Sequence, residues 1–569
     1  MKLADFAFPR GFRLATAALL AVFILGWFGS LEQRGLFIPD EGRYAEIARE
    51  MVATSDWTTP RLNDLKYFEK PPLQYWLTGL SFAVFGEDEW TARLPAALLG
   101  FIAVLMVGFT ARSLWDGRAG AFAGTILGSS WAFYLSGQYL TLDMTLSAFL
   151  TMALCAFLLA QRDDATAVEN RRWMLAAWAA AACAMLSKGL VGIVLPGLAL
   201  AMYSVAARDL RIWKRLNLRN GIALFAIIVL PWFVLVQSRN PEFFHFFFIR
   251  EHVQRFLETG HGRPGAWWYY LPILIIGLMP WTPLFVARAL QMRRKVGRDA
   301  SANIAGFNID WFCLAWAVSI VLFFSFSRSK LPAYIVPALP ALALWLCRMQ
   351  ASARDAALKY CAGSVLALGV LMLVGIVQLP GWSKFAVIGQ DATDALPVLY
   401  VAAALLLVSG AAAVWTLGKA RPQWAMTSLA AGTFAFWACM FAFLQHADAH
   451  FSSEKLIENL TNDTKPFFPH LPIYSVGQFD HSLPFYLGRP VTLVDMRGEL
   501  GHGIDAEPHK ALETMEQFQQ VWRSTAGQAF SVMSPAQYRN FEQEGLPMVK
   551  MAEDKRLVVV SRLPSVNAK

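Results

Sequence analysis

Long apolar runs recur through the first 445 positions of this chain, and they constrain its fold more than any other feature. A helix that crosses a bilayer core of about 30 Å needs roughly 20 apolar residues, because no water is there to satisfy free backbone groups. Thirteen runs can be read: 13–30, 91–111, 118–136, 143–160, 173–187, 189–206, 221–237, 268–287, 311–326, 332–347, 358–378, 396–417 and 424–445. Of the 569 residues, 56% are hydrophobic and only 16% charged, too few charges for a soluble chain of this size. No cleavable signal is visible, since the first run lacks a small-residue exit site and leads into acidic, Arg-bearing sequence. The expectation is an α-helical polytopic membrane protein with about 13 transmembrane helices.

The net charge of +9 has an address. Lys and Arg gather in alternate loops, as in Arg208, Arg211, Lys214, Arg215 and Arg219, or Arg288, Arg293, Arg294, Lys295 and Arg298. The loops between are poor in positive charge: 137–142 has none and 379–395 has only Lys384. This is the positive-inside pattern, which puts the N-terminus in the cytoplasm and, after an odd number of spans, the C-terminus outside. The basic residues therefore serve topology in a phospholipid bilayer, and no nucleic-acid partner is expected. The six cysteines lie in or beside apolar runs, with no zinc spacing and no disulfide framework, and read as small core residues.

Residues 1–445 are expected to form the membrane domain, with large outer loops at 31–90 and 238–267, and residues 446–569 a small α/β domain. In that tail, short apolar runs (Ile473–Val476, Val491–Val494, Phe530–Met533, Leu557–Val560) alternate with polar, helix-compatible stretches such as 511–523. In the first loop, Tyr44, Ile47, Ala48 and Met51 fall at helical spacing, with Glu46, Arg49 and Glu50 on the other face. Pro39 suits the first turn of that helix. Leu73 to Phe85 is apolar but too short to span. Both helices are expected to lie along the membrane surface.

The chemistry concentrates at one face. Asp40 and Glu41 sit ten residues past the first run, and Asp143 opens the fourth. Acids at the mouth of membrane helices are costly unless water, substrate or a cation meets them. Arg43, Glu69, Lys70, Lys188, Arg250, Arg255, Arg328 and Lys330 join them on the outer side, against the topogenic bias. Any one cation could snorkel to the headgroups. The set, paired with acids, suits a phosphate-linked sugar, the cations taking the phosphate and the acids a hydroxyl, an amine or a cation. The aromatic stretch from Phe243 to Phe256 reads first as an interfacial belt. Within it His245, Glu251 and His252 could hold a divalent metal with Glu69, although no ligand spacing supports one.

Four segments carry a resemblance: Pro39-Asp40-Glu41-Gly42-Arg43-Tyr44-Ala45-Glu46-Ile47, Tyr67-Phe68-Glu69-Lys70-Pro71, Ser187-Lys188-Gly189 and Glu251-His252-Val253-Gln254-Arg255-Phe256. Together they resemble the lipid A aminoarabinose transferase family, integral-membrane glycosyltransferases of the GT-C class related to protein O-mannosyltransferases. The resemblance implies transfer of 4-amino-4-deoxy-L-arabinose from an undecaprenyl-phosphate donor to a lipid A phosphate, at the periplasmic face of a bacterial inner membrane. It implies catalytic acids at Asp40 and Asp143, and phosphate-holding groups at Lys70 and Arg255. It adds substrate-binding positions at Glu41, Arg43, Tyr44, Glu69 and Lys188, and a lipid-side position at Tyr334. Asp480-His481-Ser482-Leu483-Pro484-Phe485-Tyr486 in the tail is also like that family's periplasmic domain.

Three other readings compete, of which a structural or scaffold membrane protein has little use for clustered outer-face charges. A related GT-C enzyme would use another polyprenyl-phosphate sugar or a protein acceptor. A transporter would also place acids near the membrane, but the sequence shows neither an inverted repeat nor a pair of broken helices mid-span.

Overall fold

The structure is a computed structural model that describes residues 10–254, 265–296, 307–378, 395–446, 450–462, 470–525 and 527–562. The chain divides into two units, one of Met1–Leu31 with Arg93–Phe443 and one of Glu32–Ala92 with Leu444–Lys569. The first loop thus separates from the membrane helices and groups with the tail, whereas the sequence suggested a single cut after residue 445.

In the first unit the apolar runs become helices. Among the described residues, seven helices are long and apolar enough to cross a membrane: Glu89–Leu114, Leu142–Ala160, Leu218–Arg239, Ile309–Phe326, Ser352–Gln378, Leu396–Gly418 and Pro422–His446. The run at 268–287 is a bent pair, Tyr270–Gly277 and Thr282–Met292, at 113°. Three more runs appear as shorter apolar helices, Ala17–Phe28, Val191–Ala207 and Pro332–Leu346. The run at 118–136 is interrupted at Ser130, whose extended backbone separates Gly117–Ser129 from Trp131–Gly137. The run at 173–187 lies in Ala167–Lys188, which starts nearly two turns earlier because Thr166 and Glu169 form a reciprocal capping box. Among the described residues, length and composition alone mark seven crossings, or eight with the bent pair, and the other expected runs are helical as well.

Small residues let these helices approach closely, as membrane interiors require. Ala153 of Leu142–Ala160 meets Ala180 and Ala181 of Ala167–Lys188. A Cβ on Gly192 would fall 2.4 Å from the Ala184 carbonyl carbon, so Val191–Ala207 folds back tightly on the helix before it. Gly189, with φ +81°, makes that reversal and leaves Lys188 at the tip.

The second unit joins two distant stretches. Its tail holds a six-stranded sheet of β3 (Ile473–Val476), β4 (Thr492–Val494), β5 (Ala511–Leu512), β6 (Ala529–Met533), β7 (Val549–Glu553) and β8 (Val558–Arg562) in the order β5-β4-β3-β6-β8-β7. The first four are parallel, and β8 and β7 add an antiparallel edge. All four apolar runs picked from the tail become strands. β7 escaped notice because it alternates with exposed polar residues, and β5 because the stretch at 511–523 is strand first and helix only from Met515. Phe518 and Trp522 of Met515–Ser524 cover the sheet with Tyr474, Val494, Phe541 and Val558.

The first loop supplies the helices Asp40–Thr54 and Leu73–Phe85 and a hairpin of β1 (Arg61–Leu62) and β2 (Leu65–Lys66). Asn63 and Asp64, at φ +57° and +59°, make the two-residue turn of that hairpin. Asp40–Thr54 does not lie on a surface as expected, because residues 41–42 and 44–51 are all buried. Only Leu73–Phe85 keeps an exposed apolar face, at Leu80, Val84 and Phe85.

Tail backbone covers the first helix at one point without a gap. A Cβ on Gly42 would stand 2.6 Å from the Ser482 nitrogen and 2.7 Å from the His481 carbonyl oxygen. Gly42→Ala is therefore expected to cost about 1–3 kcal/mol by overpacking. Thermal melting of the detergent-purified protein should drop by several degrees, and protease should cut the tail faster while the membrane helices stay intact.

Candidate active site

Asp40 and Glu41 open the same helix, where negative charge is favoured, but their side chains part. Glu41 turns inward and is 1% exposed. Its carboxylate accepts from the buried Arg34 guanidinium, with Nη2 at 3.2 Å and Nη1 closer still, and from the Phe37 backbone N–H at 3.0 Å. The Arg34 guanidinium in turn lies 4.5 Å from the centre of the Phe37 ring. This burial suits a structural pair that braces the 34–41 turn, and it is at odds with the substrate-binding role expected for Glu41.

Asp40 turns outward, with its side chain 46% exposed. Arg43, one turn on, holds it at 2.8 Å. The other edge of the Arg43 guanidinium grips Glu499 with both nitrogens, Nε to Oε1 at 3.0 Å and Nη2 to Oε2 at 2.7 Å. His481 Nε2 stands 2.6 Å from the same Oε1. Burial would push the Glu499 carboxyl up, but the His481 hydrogen bond and the Arg43 charge outweigh it and hold that group below the usual carboxylate range.

Aromatic rings underlie this chain of charges. Tyr44 is buried, with its ring 5.7 Å from the Arg43 guanidinium carbon and 6.0 Å from the Tyr75 ring. Burial pushes the Tyr67 and Tyr75 hydroxyls up, so both are neutral phenols at physiological pH. Lys70 Nζ donates to the Glu69 carbonyl at 2.9 Å and lies 3.8 Å from the Glu69 carboxylate.

In the first unit, three expected residues converge. Asp143 sits in the first turn of Leu142–Ala160 and Lys188 ends Ala167–Lys188. Lys188 Nζ and Asp143 Oδ1 are 2.5 Å apart, with both side chains mostly buried. The ammonium also stands 4.5 Å from the centre of the Tyr334 ring, a cation–π distance. Tyr334 lies in the 3₁₀ turn Pro332–Ala338, against Phe324 at 4.8 Å. Lys330, which the sequence grouped with the outer cations, donates instead to the Ser325 and Ser327 carbonyls at 2.9 and 2.5 Å and caps the end of Ile309–Phe326.

Asp40 and Asp143 thus belong to different units. Arg255 and the side chain of His252 lie outside the described residues, and His245 is exposed. Among the described residues, no group of three or more His, Cys, Asp or Glu side chains gathers as a metal site would require. Sequence reasoning missed Glu499 altogether, for it stands alone in a polar stretch. His481 carried a weak signal, in the segment already singled out in the tail.

Two outcomes follow from these contacts. Lys188→Met leaves Asp143 as an unpaired, mostly buried charge, which should cost about 3–5 kcal/mol. Adding Asp143→Asn should restore most of the lost thermal stability, and a double-mutant cycle of melting temperatures measures the coupling. Glu499, whose folded value is depressed, stabilises fully above the ordinary carboxylate value of about 4.3, and that contribution is lost as pH falls through the lower folded value. The melting-temperature gap between wild type and Glu499→Gln should be constant above about pH 5 and shrink below it.

Comparison with known proteins identifies the family. Residues 461–562 match the aminoarabinose transferase C-terminal domain, and residues 14–247 match the dolichyl-phosphate-mannose-protein mannosyltransferase family. The undecaprenyl phosphate-α-4-amino-4-deoxy-L-arabinose arabinosyl transferase of Pectobacterium carotovorum subsp. carotovorum (strain PC1) is 32% identical over 448 residues, which is 72% of this chain and 78% of the relative. The enzyme of the same name from Enterobacter sp. (strain 638) is 33% identical over 65% of this chain and 67% of its own. The crystal structure of ArnT from Cupriavidus metallidurans bound to undecaprenyl phosphate overlays with a TM-score of 0.87 at 34% identity, covering 97% of this chain and 99% of that one. The same protein in the apo state gives 0.82. The fold is therefore that of a multi-pass GT-C glycosyltransferase with a small C-terminal α/β domain. By these matches the chain belongs to the undecaprenyl phosphate-α-4-amino-4-deoxy-L-arabinose arabinosyl transferase family.

Proposed function

We propose that this chain transfers 4-amino-4-deoxy-L-arabinose from undecaprenyl phosphate to a phosphate of lipid A, at the periplasmic face of a bacterial inner membrane. Alternating basic loops support a cytoplasmic N-terminus and a periplasmic C-terminal domain. The observation that carries the reading is the pairing of each expected acid with a cation, Asp40 with Arg43 and Asp143 with Lys188.

The bond that breaks joins the sugar C1 to the carrier phosphate oxygen, which leaves with the electron pair. Lys70 and Arg255 stabilise the charge gathering on that phosphate. The sugar centre becomes oxocarbenium-like and positive, and Asp40 and Asp143 oppose that charge or hold the amino and hydroxyl groups. Glu69 and Tyr44 of the second unit, and Lys188 and Tyr334 of the first, are each assigned to contacts with the donor. An oxygen of the acceptor phosphate then attacks C1. A phosphate monoester with a second pKa of about 6 arrives largely ionised, so no strong base is needed. The match of residues 14–247 to a protein mannosyltransferase family favours a second reading, a protein hydroxyl acceptor. Asp40 would then have to take its proton.

Purified protein incubated with aminoarabinosyl undecaprenyl phosphate and lipid A should yield lipid A heavier by one aminoarabinose, read by mass spectrometry. Transfer only to protein, or none, would sink the leading reading. Asp40→Asn, Asp143→Asn and Lys70→Ala should each lower kcat by about 100-fold or more, with insertion unchanged. Carrier-phosphate binding undiminished in Lys70→Ala would remove Lys70 from the phosphate site.

A further inference from the structure

Asp40 is the most exposed member of its cluster, and its side chain is pinned from behind. Going inward, exposure falls from 46% at Asp40 to 12% at Arg43 and 20% at Glu499. Arg43 presents one nitrogen to Asp40 and two to Glu499, so the planar guanidinium cannot turn without breaking contacts on both sides. His481 closes the chain on Glu499 Oε1, and its own ring lies against Phe479 at 4.9 Å. An ionised carboxylate can only accept, so Nε2 carries the proton in this contact.

We infer that His481 is a positioning residue for the transfer reaction, fixing Asp40 through Glu499 and Arg43. The inference rests on the role proposed above for Asp40. His481 makes no hydrogen bond to Asp40 or Arg43; it orients Glu499, and Glu499 orients the guanidinium that holds the acid. The backbone supports this task. His481 and Ser482 lie against Gly42, and Asp480 fixes the turn by accepting from Ser482 N, Ser482 Oγ and Leu483 N at 3.0, 2.7 and 3.1 Å.

The contact also has a pH signature. The groups that interact electrostatically with Glu499 are His481, Arg43, Tyr67 and Tyr75, and Arg43 in turn faces Asp40, Tyr44 and Tyr67. Among these, His481 and Arg43 oppose the effect of burial on Glu499. Without the imidazole, burial regains ground and the Glu499 carboxyl rises. The acid limb of turnover, where activity falls as Glu499 takes a proton, then moves to higher pH.

The test compares His481→Leu, which keeps bulk without a donor, with His481→Gln, which keeps an amide donor, in the full-length protein. The Leu variant should lower kcat about 10-fold or more with KM for the lipid donor within about 2-fold, and shift the acid limb upward. The Gln variant should recover most of that loss. Equal kcat and an unmoved acid limb in Leu and wild type would overturn the inference, as would equal defects in Leu and Gln. If the Leu variant does not accumulate, His481→Ala assayed with and without imidazole reads the same contact: rescue supports it and no rescue overturns it. Asp40→Asn is run alongside. Normal turnover there removes Asp40 from the chemistry and the inference with it, whereas an inactive Asp40→Asn beside a normal His481→Leu removes the inference alone.

Discussion

The joint between the first outer loop and the tail governs the second unit, and it is made of buried polar contacts more than of grease. Asn63 binds the Val491 backbone with both ends of its amide, at 2.8 Å each. Arg49 reaches the Gly488 carbonyl at 2.9 Å, Arg61 grips Glu507 at 3.0 Å, and the Leu36 N–H donates to the Tyr486 hydroxyl at 2.8 Å. Such groups are worth little in excess of their hydration when paired, but each costs about 1–3 kcal/mol if left buried and alone. The joint therefore specifies one register between segments more than 400 positions apart, because any slip strands several partners at once.

That register is what gives the Asp40 carboxylate its setting. The helix Asp40–Thr54 buries acids and bases together on its inner side. Arg49 forks onto Glu46 at 2.7 Å, and Glu50, whose carboxyl is pushed up by burial and by Glu46, accepts from the Asp64 N–H at 3.0 Å. A helix held so firmly underneath can present Asp40 and Arg43 at its rim with little freedom. Such rigid support would suit the catalytic role proposed for Asp40, since positioning is a large share of an enzyme's advantage.

The other acid is set by different means. Asp143 and Lys188 meet because two helices rich in alanine run close together and because Gly189 reverses the chain just after the lysine. In a membrane interior the hydrophobic effect does not distinguish helix from lipid, so close backbone approach and polar pairs take over its role. The Tyr334 ring beside the ammonium adds a cation–π contact from a proline-rich turn, which the chain could not have formed as a regular helix.

Much of the fold and part of the candidate site can be read from the residues alone. Apolar runs fix where membrane helices lie, because each helix satisfies its backbone locally and needs only length and composition. The Asp40–Arg43 pair is likewise local, one turn of a helix whose start Pro39 announces. Tertiary structure decided the rest. It buried Glu41 on Arg34, enclosed a helix expected at the membrane surface, and brought Glu499 to Arg43 across 456 positions. The physical reason is range: hydropathy and capping act within a few residues, whereas which polar groups meet is settled only when distant backbones close around them and water leaves.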